Sequence, residues 1–194
     1  MIEPYYQDKH ATIYHGNALD IIPELSNIGA IVTDPPYSSG GQFRGDRIIK
    51  TSTKYVQTES QGNQPRPEFA GDNRDQRAFL LWCSMWMQKA LEVSVQGAPL
   101  ISFTDWRQLP TMSDAAQVGG WVWRNICTWW KPGCRMIKGR FSSSAEYFIY
   151  CTNGPAINGP SSAQNVFSCA PVRVDNKSHI AQKPLDVMKW ALSR

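Results

Sequence analysis

The chain has 194 residues, 42% of them hydrophobic and 19% charged, with a formal net charge of +4. That length suits one domain with a substantial core, and no run of 18 apolar residues is present to suggest a membrane span. The N-terminal "MIEPYYQDKH" lacks the apolar centre of a secretion signal, so a cytoplasmic location is expected.

The first element is a strand, "ATIYHG" (11–16), followed by a short helix, "ALDIIPEL" (18–25). "IGAIVTD" (28–34) is an apolar run of the kind buried in parallel sheets. It meets a proline pair, which ends the strand and places Asp34 just past its tip. Residues 38–74 lack periodicity and are rich in Gly, Ser, Thr, Gln, Pro and Arg, so they read as a long functional or mobile loop. A helix is predicted over 74–97, with Phe79, Trp82, Trp86, Ala90 and Val93 at helical spacing and Gly97 as its stop. A strand over 98–105 and a weaker helix over 107–118 follow. Alternation predicts strands at 120–131 and 144–153, neighbours around a basic turn. Residues 154–176 read as loop, and "QKPLDVMKWALSR" as a helix with Pro184 in its first turn. This order describes an α/β chain without repeat or linker.

Cys83, Cys127, Cys134, Cys151 and Cys169 show no Cys-x-x-Cys pairing, which fits reduced, partly buried thiols. His10, His15 and His179 do not stand near them at ligand spacing, so no zinc site is expected. The stretch Arg124, Lys131, Arg135, Lys138, Arg140 contains no acid, and reads either as a phosphate contact or as a solvated loop. Most of the tryptophans read as packing residues.

A carboxylate and a ring three positions apart, at the C-terminal end of a buried strand, suggest a ligand site; a capped turn is the competing reading. "TDPPY" after such a strand resembles the catalytic signature of amino-directed DNA methyltransferases, which use S-adenosylmethionine. "IYHGNALDIIPEL", "FAGDNRDQRAFLLWCSMWM", "PLISFTDWRQLP", "ICTWWKPG" and "FSSSAEYFIYCTNG" resemble the surrounding segments of that family in the same order. "HIAQKPLDVMKWAL" is similar to its His-Pro-x-Gln-Lys-Pro-Leu segment, with Ile180 and Ala181 in place of the usual residues after His179. The likeness spans roughly residues 11–194 and has the permuted order called the β group.

The resemblance implies a Rossmann-like sheet flanked by helices, incomplete in this chain, forming a single methyltransferase domain over residues 1–194. No Gly-x-Gly is present to supply the family's glycine-rich cofactor loop. It also implies methyl transfer from S-adenosylmethionine to a base flipped out of double-stranded DNA. Asp34 and the Pro35 carbonyl would accept the amine hydrogens, Pro36 would stiffen the loop, and Tyr37 would stack on the base. Asp in the first position favours adenine-N6 over cytosine-N4; a non-catalytic binding fragment is the alternative of another class. Cofactor contacts are expected from Asn17, Asp34, Gln182 and Lys183. Asn17 equally suits a helix N-cap, Lys183 an exposed first-turn lysine, and His179 a loop position. DNA contacts are expected from Arg44, Arg47, Lys50 and Lys54, and from Lys131, Arg135, Lys138 and Arg140. A small target-recognition element is expected within 153–176. If the final strands are absent, the edge of "AIVTD" would invite a homodimer or a complementing chain.

Overall fold

The computed structural model describes residues 2–38, 50, 70–134, 136, 138–139, 141–157, 162–172 and 181–193. Most of the expected loop 38–74, with Arg44, Arg47 and Lys54, lies outside them, as do Arg135, Arg140 and His179.

Strands β1 (Tyr6–Gln7) and β2 (Thr12–Ile13) form a small antiparallel hairpin of their own. The strand expected at 11–16 is therefore two residues long and stands outside the main sheet. Helix α1 (Ala18–Ile21) is capped by Asn17 and passes into a 3-10 turn at Ile22–Glu24. Pro23 sits where its missing N–H shortens the helix that 18–25 was expected to form.

Five strands make the main sheet, in the order β3-β4-β6-β5-β7. These are β3 (Ile31–Thr33), β4 (Pro99–Thr104), β5 (Val122–Trp130), β6 (Ala145–Thr152) and β7 (Val166–Ser168). Two pairings are parallel, β3 with β4 and β5 with β7, while β6 runs antiparallel to both of its neighbours. The β5–β6 hairpin confirms the expected pairing of the two late strands. Strand β7 corrects the expected loop at 154–176: "VFS" is too short to show alternation, yet it extends the sheet beside Thr128–Trp130.

Helix α2 (Gln76–Glu92) begins at Asp75, whose carboxylate accepts from the Ala78 N–H at 2.8 Å. It ends at Val93, before the expected stop at Gly97, because Ser94 turns away to bridge Ile28. Helix α3 (Leu109–Val118) matches the weaker helix expected there. Helix α4 (Leu185–Ala191) has Pro184 at its N-cap, one place earlier than expected.

The sheet separates two apolar clusters. Alternate residues of its strands, Leu100, Ile149 and Cys151, pack with Phe79, Met87, Met112 and Trp121 under α2 and α3. The opposite phase, Ile101, Phe103 and Phe148, packs with Trp129 and with Val187 and Ala191 of α4. Burial pushes the Cys83 and Cys151 thiols up to about 12, so at neutral pH they serve as packing groups. Phe79, on α2, is fully buried within the first of these clusters. Phe79→Ala is expected to cost about 3–5 kcal/mol of stability, read from urea denaturation of the purified chain.

Candidate active site

The strand directions bring one set of termini together. Thr33 pairs with Ser102, Thr104 with Tyr147, and Trp129 with Glu146. The C-terminal ends of β3, β4 and β5 therefore meet the N-terminal end of β6, and Asp34, Asp105, Lys131 and Glu146 gather at one margin of the sheet. Lys183 reaches the same point from the residues just before α4.

Asp34 follows β3 directly, with Pro35 buried beneath it. Tyr37 donates its O–H to Asp34 Oδ1 at 2.5 Å, and Lys183 donates to Asp34 Oδ2 at 2.8 Å and to the Tyr37 oxygen at 3.0 Å. Glu146 lies on the far side of Lys183, with Oε2 3.3 Å from Nζ, and it also pairs with Lys131. The result is an alternating row of charges, Asp34, Lys183, Glu146 and Lys131, closed below by the Phe103 ring 5.3 Å from Lys183 Nζ.

This corrects the reading of Lys183 as an exposed first-turn lysine: its side chain is only 8% exposed. Burial is tolerable because two carboxylates face the ammonium. Burial by itself would raise the Glu146 carboxyl, but Lys183 and Lys131 outweigh that and hold it below the usual range. Tyr37 is held well above its ordinary value, first by burial and then by the Asp34 and Glu146 charges, so it stays a neutral donor.

The loop carrying Asp34 is clamped where it leaves the site. Ser38 adopts φ +50°, and its N–H donates to buried Asp72 at 3.0 Å. Its hydroxyl donates to the Gly71 carbonyl at 3.0 Å, and its own carbonyl accepts from Gln108 Nε2 at 3.2 Å. Gly71 has φ +94°, a backbone conformation that L side chains rarely adopt, which favours glycine there. Asp105 fixes the neighbouring turn by accepting from the Arg107 and Gln108 N–H groups. Trp106, half exposed, carries the Arg107 guanidinium 4.8 Å from its ring centre.

Among the residues expected from sequence, the structure joins Asp34, Pro35, Pro36 and Tyr37 with Lys183, and adds Lys131 through Glu146. Lys131, expected on DNA phosphate, is instead ion-paired at this margin. Arg124 lies at the opposite end of the sheet, bound to Thr152 and the Gly154 carbonyl. Asn17 accepts from the Leu19 N–H at 3.2 Å as the cap of α1. Gln182 is half-buried beside Lys183, while Lys50 and Lys138 are exposed. Glu146, Gln108 and Asp72 were not anticipated. The signal for Glu146 was present: an acid in strand phase with Phe148, which is buried.

Asp34→Asn removes one of the charges that disfavour the phenolate, so Tyr37 should then ionise at lower pH, yet still above 10.0 because burial remains. The neutral phenol's contribution to stability is complete below about pH 10 and is lost as pH rises towards the folded value. The Tyr37 ring-carbon NMR shift, followed through alkaline pH in both proteins, checks this.

The model of a DNA methylase family, the N6/N4 methyltransferases, matches residues 28–193. No curated protein sequence matches the chain. Solved structures that share its fold include three DNA methylases. M1.HpyAVI in complex with SAM aligns with TM-score 0.58 and 18% identity, over 93% of this chain and 74% of that one. The cytosine-N4-specific PvuII DNA methyltransferase aligns with TM-score 0.66 and 10% identity, over 97% and 71%. A DNA modification methylase from Thermus thermophilus aligns with TM-score 0.57 and 11% identity, over 91% and 71%. These likenesses bear out the expected methyltransferase-type sheet flanked by helices.

Proposed function

The chain belongs to the N6/N4 DNA methylase family, and from that premise we propose that it transfers a methyl group from S-adenosylmethionine to the exocyclic N6 of adenine in DNA. The observation that carries this reading is Asp34 at the tip of β3, flanked by Tyr37 and Lys183. An aromatic amine is a weak nucleophile because its lone pair is delocalised into the ring. Asp34 and the Pro35 carbonyl, held on a proline-stiffened loop, are suited to accept its two hydrogens and favour a pyramidal nitrogen. The amine reaches them only once its base leaves the duplex, and Tyr37 then offers a stacking face.

The donor set fits the cofactor at its reacting end: carboxylate, ammonium and amide groups suit a zwitterionic sulfonium compound. Asn17, Asp34, Gln182 and Lys183 would hold it, and when bound it supplies an electrophilic methyl group. Each oxygen of Asp34 already accepts one donor, from Tyr37 and Lys183, and the target amine would be accepted beside these donors or in place of one. Asp in the first position of the motif supports adenine. Among the described residues β3 is an edge strand, and there a second copy or a complementing chain would pair.

The test is incubation with double-stranded DNA and S-adenosylmethionine, followed by digestion to nucleosides. N6-methyladenine is expected; N4-methylcytosine would reassign the target, and neither product, together with no cofactor binding by calorimetry, would favour the non-catalytic reading. Asp34→Ala should slow transfer by roughly 100- to 1000-fold, the effect of losing one preorganised group on the reacting atom. Exposed Lys50 and Lys138 are proposed phosphate contacts. Replacing either with Gln should reduce the slope of log affinity against log salt by about 1, measured by fluorescence anisotropy.

A further inference from the structure

Lys183 raises a physical difficulty for the reaction proposed above. Its ammonium is 8% exposed and donates to Asp34 at 2.8 Å. A target amine that takes the place of Lys183 on Asp34 leaves the ammonium to its other carboxylate, and a desolvated ammonium without any counter-ion is strongly disfavoured. Glu146 is placed to resolve this. Its Oε1 is taken by Lys131, which also lies 4.8 Å from the Trp129 ring centre. Its Oε2 is buried and stands 3.3 Å from Lys183 Nζ, an ion pair that a small reorientation would convert into a well-directed hydrogen bond. A carboxylate needed only to neutralise Lys131 would be satisfied through Oε1; a buried second oxygen in ion-pair range of Lys183 has another use.

We propose that Glu146 is a positioning residue for methyl transfer: its Oε2, already paired with Lys183, holds the ammonium when the target amine takes over Asp34. The exchange breaks no covalent bond and moves no net charge. Lys183 already lies within ion-pair distance of both carboxylates, so a small rotation of its side chain suffices. The hand-over to the amine rests on the function proposed above, whereas the hold of Glu146 on Lys183 does not, and the two are tested separately.

Glu146→Gln keeps the shape but removes the charge, Glu146→Asp withdraws the carboxylate by one methylene, and Lys131→Met removes the other partner. Acetylation of Lys183 by an amine-directed reagent, followed by peptide mass spectrometry, reads the hold directly. Glu146→Gln should label roughly tenfold faster than the parent, the change expected on losing one charge-assisted contact. Glu146→Asp should lie between them, and carries the test if the Gln variant fails to fold. Lys131→Met should label at the parental rate. In the methylation assay, Glu146→Gln should lower kcat roughly tenfold while leaving KM for DNA almost unchanged, and Glu146→Asp should recover much of the loss. Lys183 labelling that is indifferent to Glu146, or a parental kcat in Glu146→Gln, overturns the proposal. A labelling change in a chain whose parent transfers no methyl group supports the hold and counts against the function instead.

Discussion

A buried ammonium must be matched by carboxylates, and that requirement organises the functional end of this protein. Lys183 satisfies it with two acids from different parts of the chain, Asp34 after β3 and Glu146 on β6. The two acids lie far apart in sequence and meet only because β4 separates their strands in the sheet. The approach to α4 must therefore cross the sheet margin at one point, with Val187 and Ala191 seated beneath it on the apolar face. Shifting α4 by one turn would bury the charge without partners, so electrostatics and packing select the same register.

The mixed sheet is what makes this meeting possible. In a parallel pair the strand ends that carry side chains into a cleft are both C-terminal, as at Asp34 and Asp105. Strand β6 runs the other way and presents its first residues at that same margin. Acids and bases from opposite chain directions are thus interleaved without a long loop to carry them. The clamp at Ser38 complements this arrangement: bonds to Gly71, Asp72 and Gln108 tie the loop that carries Asp34 to the lead-in of α2 and to the start of α3. Residues 38 and 71, far apart in the chain, are thereby held at one place.

Much of this was legible in the sequence because it rests on local patterns. Helix α2, strands β4 to β6 and the proline-stopped β3 follow from apolar periodicity and turn chemistry, which neighbouring residues decide. What was not legible depends on partners distant in sequence. Lys183 reads as an ordinary surface lysine until Asp34 and Glu146 are brought to it. Glu146 reads as a polar strand position until its phase with Phe148 turns it inward. Strand β7 is set by the free edge of β5 rather than by its own three residues. Helix α2 stops at Val93 because Ser94 is drawn to Ile28, a tertiary pull that overrides the glycine signal three residues later.

The same arrangement divides the cations into two kinds of work. Lys183 and Lys131 are desolvated and paired, at 8% and 17% side-chain exposure. A cation already neutralised by a buried carboxylate releases few counterions on meeting DNA, so it adds little to salt-dependent affinity. Arg124 is likewise committed, holding the far end of the sheet through Thr152 and Gly154. A charge run in sequence therefore overstates the surface available to phosphate, because strand geometry sends its members to different ends of the sheet. Lys50 and Lys138 stay exposed, and the two buried lysines are left to organise the carboxylates of Asp34 and Glu146.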